Sequence, residues 1–443
     1  MGTLQEKKYA LRAVTVFTFV FSFASLCLLC HHYSNVLFGD IIVDDTLATV
    51  YLIDYKTVGF VSRALIGSII SAFTQKVPNH LIVIIVKAAT FVFLLLQSAV
   101  AAQATEKIIK LKKYGCLIIV ILYLFNPHIN YWIFDSSWFG IFDVFNYILF
   151  LLFYFCISAK NRALKIFCPL ICLAAICVHY QFCVVLLPAA IAMMFYYVFE
   201  SVPQCASLKD SKAFKIRSAL LIFTLITSIA LTVYFVLFAR RFVKTDPETL
   251  YYYMRSRYDG AYIYKRYYDF YLFGQLYGQT YAQSETLKVL RSIVTQSVKF
   301  NPYLVRLLTL YLPFTGLWTV LSVRAKPKAR KIPYIVILLT VLCLPVGLLL
   351  STDWNRYISA FFMSQFLILL FLIRSEDNEL FKFIEKIKKL LLIPVSKIPA
   401  LNKLRKKIEG SARPVKYLIY ALAAIGITVF FYFLFKPGVS ITA

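Results

Sequence analysis

Long apolar runs separated by short basic stretches dominate the chain. Runs at 13–32, 81–103, 139–158, 218–239, 302–322, 333–351, 357–373 and 417–435 approach or reach the length at which an α-helix crosses a hydrocarbon core of about 30 Å. The run at 115–127 is shorter, and the 34 residues of 166–199 suffice for two short crossings at about 1.5 Å per residue. These runs are continuously apolar rather than alternating, which excludes a β-barrel. The pattern predicts an all-α fold, a polytopic transmembrane helical bundle of about eleven spans in one integral membrane domain over 1–443.

One apolar stretch does not fit as a span. In 57–74, Val58, Val61, Leu65, Ile69 and Phe73 recur at helical spacing on a run barely long enough to cross. If it crossed, the span at 81–103 would deliver the basic segment Glu106–Lys113 to the outside. The stretch is therefore expected to be an interfacial helix within a first outer loop, 33–80. With that assignment every basic connection falls on one side, together with Lys7, Lys8 and Arg12, and the positive-inside rule makes that side cytoplasmic. A tyrosine-rich outer loop follows at 240–300, and a basic amphipathic segment at 374–416 suits anionic headgroups on the cytoplasmic face. The expected location is the cell membrane, with the first span retained as an anchor and the N-terminus cytoplasmic.

Composition changes this picture little. The 443 residues are 60% hydrophobic, against about 45–50% in soluble domains. The net charge of +27 sits mainly in the short loops, so it is assigned to orientation and not to nucleic acid. Of ten cysteines only Cys205 lies in a polar loop, and they are read as small core or lipid-facing residues.

The same parity places five polar groups on the outer face. They are Asp40, Asp44, Asp45 and Asp54 with Arg63; Asn126 to Asp135; His179 to Gln181; the tyrosine-rich loop; and Asp353 to Arg356. Ionisable groups at membrane depth are costly, and they commonly mark function. Asp44 and Asp45 suit a general base, or hard oxygen ligands for Mg²⁺ or Mn²⁺ on a diphosphate. They equally suit a helix N-terminus. Arg63 and Arg356 match phosphate oxygens in a bidentate way, or form internal ion pairs, Arg356 with Asp353 for example. His179 is an acid/base or phosphate-contacting candidate, or a structural group at a hairpin tip. Tyr180, Gln181, Asp135 and Asp353 are candidate substrate or phosphate contacts. The tyrosines of 251–281 suit sugar stacking or an interfacial belt. Nothing resembling a Walker, GxGxxG, HExxH or GxSxG motif is present, so an outer-face enzyme would need a donor that arrives already activated.

A first span followed by an acidic outer loop with interfacial helices resembles the GT-C superfamily of membrane glycosyltransferases. Three phrases are similar to bacterial envelope-polysaccharide proteins, Wzy-type polymerases among them. They are Gly59-Phe60-Val61-Ser62-Arg63 with Gly67, His179-Tyr180-Gln181-Phe182 before Pro188, and Asp353-Trp354-Asn355-Arg356. Tyr180 stands where relatives often carry glutamate. The resemblance implies a polyprenyl-linked sugar donor, a glycan or glycolipid acceptor, and an aspartate in the first outer loop, here Asp44 or Asp45, acting in catalysis. The expected function is glycosyl transfer at the extracytoplasmic face. The alternatives are a Wzy-type polymerase, and a transporter or flippase of lipid-linked sugars. A transporter needs polar groups along several spans, and Lys87, Gln97 and Asp143 are few for that purpose.

Overall fold

The computed structural model describes residues 4–126, 128–131, 139–199, 212–258, 276, 302–325, 331–350 and 354–397. The chain begins with α1 (Leu4–Tyr33), three short helices α2 (Asp45–Leu52), α3 (Tyr55–Val58) and α4 (Ala64–Ser71), and the long α5 (Asn79–Lys110). Next come α6 (Leu117–Phe125), α7 (Asp143–Ser158), α8 (Phe167–Val178), α9 (Phe182–Phe199) and α10 (Lys212–Val233). The chain continues with α11 (Pro247–Arg257), α12 (Pro302–Arg324), α13 (Lys331–Val341), α14 (Cys343–Leu350), α15 (Trp354–Arg374) and α16 (Asn378–Lys397). No strand occurs among the described residues.

Five helical stretches are long and apolar enough to cross a membrane: Lys8–Tyr33, Asn79–Lys110, Phe182–Phe199, Lys212–Phe242 and Arg356–Arg374. Other expected spans appear as shorter apolar helices at Tyr114–Phe125, Asp143–Ser158 and Lys331–Gly347. The 12 residues of α8 reach about 18 Å, which is less than a hydrocarbon core. The expected span at 417–435 lies outside the described residues. So does the region of 374–416 beyond α16. The stretch expected to be interfacial is broken into α3 and the eight-residue α4, too short to cross.

Burial separates inner helices from outer ones. The apolar window of α15 is 89% buried and that of α1 only 17%, with Phe17 and Leu28 open to the surroundings. In water such a face would be an aggregation hazard, whereas in lipid it costs nothing. α15 packs against α5, α7 and α9, and α1 lies along α5. Polar groups inside the bundle find partners across helices, because lipid offers none. Trp318 Nε1 donates to Gln365 Oε1 (2.7 Å), and Gln365 Nε2 donates to Thr340 Oγ1 (3.0 Å), which ties α12, α13 and α15 together. Tyr147 and Ser359 join α7 to α15 through their hydroxyls at 3.1 Å. The nine described cysteines, Cys27 and Cys30 of α1 included, are free thiols.

The two ends of the bundle differ. At one end Lys107 pairs with Glu376, Arg374 contacts Gln103 and the Ser158 carbonyl, and Asp377 accepts from Tyr196 (2.6 Å). The opposite end gathers the C-terminus of α8, the N-termini of α7, α9 and α15, and the short helices α2 to α4.

Candidate functional site

The turn Gly59–Arg63 lies across the end of α8. The last carbonyls of a helix have no partner within it, and here the neighbouring turns supply them. The Arg63 N–H donates to the Cys177 carbonyl (3.0 Å), Ser62 Oγ to Ile176 (3.3 Å) and the His179 N–H to Ala175 (2.9 Å). Ser62 Oγ also accepts from the Tyr180 N–H at 3.0 Å. Arg63 sits at φ 76°, a left-handed conformation that costs a non-glycine residue roughly 1–2 kcal/mol. Gly67 permits the close approach that holds this turn in place, because a Cβ there would meet the Ile53 carbonyl at 1.9 Å.

The Arg63 side chain then reaches His179. Arg63 Nη2 lies 2.6 Å from His179 Nε2, and Arg356 Nη2, from the first turn of α15, lies 3.4 Å from the same nitrogen. Arg356 also grips Asp143 in a fork, Nε to Oδ2 and Nη2 to Oδ1, both at 2.8 Å. Tyr131 adds a long contact to Asp143 Oδ2 (3.4 Å). The Gln181 N–H donates to His179 Nδ1 at 2.9 Å. With N–H donors at both ring nitrogens, a protonated imidazole has nothing to donate to. Burial, and then the Arg63 and Arg356 guanidinium groups, hold its pKa well below the usual histidine range. His179 is therefore neutral at pH 7. A neutral imidazole accepts at one ring nitrogen only, Nδ1 from the Gln181 N–H or Nε2 from an arginine, so His179 spaces the two guanidinium groups and is a weak base.

Two guanidinium groups and the Asp143 carboxylate are the charged groups described in this cluster. The N-termini of α7, α9 and α15 converge on it and add positive potential. The cluster separates two cavities. One is a cleft whose lining includes Val61, Ser62, Arg63, Tyr180, Phe235 and Arg240. The other, a narrow recess open to solvent, has Asp143, Asn146, Tyr147, Gln181, Arg356 and Tyr357 in its wall. The first joins cations to apolar walls. The second is polar at the cluster and aromatic beyond it.

A second buried pair fixes α11 beneath this region. Arg257 Nη1 donates to Asp54 Oδ2 (2.9 Å) and to the Leu52 carbonyl (2.8 Å). Asp54 also caps α3 through the Thr57 N–H (2.8 Å) and accepts from Ser71 (2.9 Å) and Tyr253. Burial pushes the Asp54 carboxyl up. The hydrogen bonds from Tyr253, Thr57 and Ser71 outweigh that and bring it below the usual carboxylate range.

The structure thus brings together Arg63, His179 and Arg356, three candidates far apart in sequence, with Tyr180 and Gln181 in the walls of the two cavities. Arg356 takes Asp143 as its partner. The sequence suggested Asp353, which lies outside the described residues, as does Asp135. Asp143, counted in the sequence as a sparse transport residue, is instead half of a buried ion pair. Lys87, from the same group, donates to the Gly39 carbonyl (2.7 Å). Asp44 is exposed just before α2, and the Asp45 backbone starts that helix. No group of three His, Cys, Asp or Glu side chains meets among the described residues. The side chain of Asp45, the second candidate ligand for Mg²⁺ or Mn²⁺, lies outside the described residues. Asp143, Asn146 and Arg240 were not singled out as site residues from sequence. For Asp143 a signal existed, an acidic residue inside an apolar run. For Asn146 and Arg240 there was none. Compared with known proteins, the chain matches no family model, no curated protein and no solved structure.

Proposed function

We propose that the protein is a membrane glycosyltransferase that takes a glycan from a polyprenyl (di)phosphate carrier at the extracytoplasmic face of the cell membrane and adds it to an envelope glycan or glycolipid. The observation that carries this reading is the convergence of Arg63 and Arg356 on one buried neutral histidine beside a cleft with apolar walls. Paired guanidinium groups in a partly dry site suit the charge that develops on a departing phosphate, and the benefit is larger there than in water. Asp143 holds the Arg356 fork in orientation, and a neutral His179 spaces the two arginines without adding a competing cation.

In this proposal the bundle has about eleven spans, with the arginine end outward and the Lys107–Glu376 end toward the cytoplasm. The concentration of lysines and arginines near the second end supports this orientation. A transfer base at Asp44 or Asp45 rests on the GT-C resemblance alone. Because the only carboxylate described in the cluster, Asp143, is already forked to Arg356, the geometry favours the arginine-centred, Wzy-type reading of en bloc transfer.

The test is transfer from a polyprenyl-diphosphate oligosaccharide by the purified chain in liposomes. Arg63→Ala and Arg356→Ala should each abolish product in protein that elutes as the wild type does. Activity that resists EDTA and survives Asp44→Ala and Asp45→Ala would select the polymerase reading. Loss in the aspartate variants would select the aspartate-base enzyme. Full turnover in both arginine variants would eliminate the proposal.

A further inference from the structure

We infer that Arg240 is a further contact for the phosphate of the carrier, at a lateral entry where the lipid chain lies on the outer face of α10 and only the headgroup reaches the cleft. For the identity of the lipid this rests on the transfer reading above. Beyond Val233 the helix continues as a π turn, Tyr234–Phe238, and then a 3₁₀ turn, Ala239–Phe242. Single π turns are rare and recur at functional sites. In a regular α-helix Phe235 and Arg240, five residues apart, would point about 140° from each other. With this winding both line the same cleft as Arg63.

The end of this helix is fastened to the turn that carries Arg63. Thr245 Oγ1 donates to the Thr57 carbonyl (2.6 Å) and the Lys244 N–H to the Val58 carbonyl (3.4 Å). Gly59, at φ 85°, admits the Phe242 carbonyl, which would lie 2.8 Å from a Cβ there. Phe60 packs beside Tyr234 and Phe235, with ring centroids 5.7 and 5.2 Å apart. Arg240 is exposed, so its guanidinium is open to a ligand. Phe60 is exposed as well, and an apolar stripe of Ile222, Ile226, Ile229, Val233 and Leu237, spaced by three or four residues, leads away from it along the helix.

Charge and shape together select the occupant. The cleft is narrow and takes phosphate oxygens, with the chain left outside on the stripe. Two guanidinium groups suit a terminal phosphate, which carries up to about two charges, better than the singly charged diester of a two-chain phospholipid. The occupant is a single polyprenyl chain that ends in phosphate.

Lipid binding is measurable without turnover. The full chain in detergent micelles is titrated with undecaprenyl phosphate, undecaprenol, phosphatidylglycerol and pyrophosphate, and bound copies are counted by native mass spectrometry. Undecaprenyl phosphate should bind wild type saturably, at least about tenfold more tightly than the other three. Arg240→Ala should weaken it at least about tenfold, the loss of one charge-assisted contact. Arg241→Ala makes the same charge change one residue on, where the guanidinium lies by the Phe238 ring (5.9 Å), and should bind as wild type does. Equal weakening by both variants would reduce the effect to net charge and overturn the contact. So would equal binding by wild type and Arg240→Ala. Phosphatidylglycerol or undecaprenol binding as tightly as undecaprenyl phosphate would overturn the choice of lipid, and pyrophosphate doing so would overturn the lateral entry. If Arg240→Ala does not fold, Arg240→Gln takes its place. Undecaprenyl phosphate held through Arg240 by a protein that transfers no sugar would refute the enzyme reading and leave the entry standing. Transfer with an unchanged KM in Arg240→Ala would do the reverse.

Discussion

Arg356 does two jobs with one planar group. Its Nε and one Nη2 hydrogen hold Asp143, and Nη2 also faces His179. Lysine carries the same charge but has no fork, so it cannot hold both carboxylate oxygens and remain in line with the imidazole. Arg356→Lys is expected to fold and to lower transfer by about tenfold to a hundredfold, the equivalent of one charge-assisted hydrogen bond. Steady-state assay beside a thermal melt checks this: a melt near wild type with full activity would show that the fork is dispensable. The residue scale also explains why His179 was ambiguous in sequence. A histidine before a tyrosine at a hairpin tip carries no sign of its two guanidinium neighbours, which are 116 and 177 positions away.

At the scale of elements, the decisive arrangement is the clasp between α11 and the segment 51–79. The Val77 N–H donates to the Arg257 carbonyl (2.8 Å), Lys76 Nζ to Ser256 (2.6 Å) and Asn79 Nδ2 to Tyr258 Oη (2.6 Å), around the buried Asp54–Arg257 pair. This clasp holds the segment that contains Arg63. Because the Asp54 carboxyl is held below its usual range, its contribution is complete above about pH 4 and is lost as pH falls through the lowered value. The protection factor of the Val77 amide, exchange corrected for its intrinsic pH dependence, should fall in that acid window and stay constant between pH 5 and 8. Arg257→Met, which leaves Asp54 buried without its counter-charge, should destabilise the clasp by about 3–5 kcal/mol, while the acid dependence, which comes from the hydrogen bonds of Tyr253, Thr57 and Ser71, should persist. Unchanged exchange in that variant would mean that the pair does not hold α11.

Across the whole molecule, polar chemistry is sorted by end. The site end holds Asp44, Asp54, Arg63, His179 and Arg356, and the opposite end holds Lys107, Lys160, Arg374 and Glu376. Asp44→Cys and Lys160→Cys, both at exposed positions, report which end faces out. In intact cells a membrane-impermeant maleimide is expected to label the first and to reach the second only after permeabilisation, measured against wild type as background. The reverse pattern would turn the molecule over and take the site away from extracytoplasmic substrates.

Helical class, the hairpin break at residues 179–181 and the odd status of 57–74 were legible in the sequence. Each depends on local quantities: run length, polar interruptions and helical spacing. The sequence also singled out Arg63, His179 and Arg356, since ionisable residues stand out against apolar neighbours. It could not supply their convergence or the pairing of Arg356 with Asp143. Those depend on which helix ends meet, and that is decided by packing between residues far apart in the chain. The number of crossings falls between the two. Hydropathy counts apolar length, but α8 and the α13–α14 pair divide that length into shorter helices, and only their packing determines how deep each one lies.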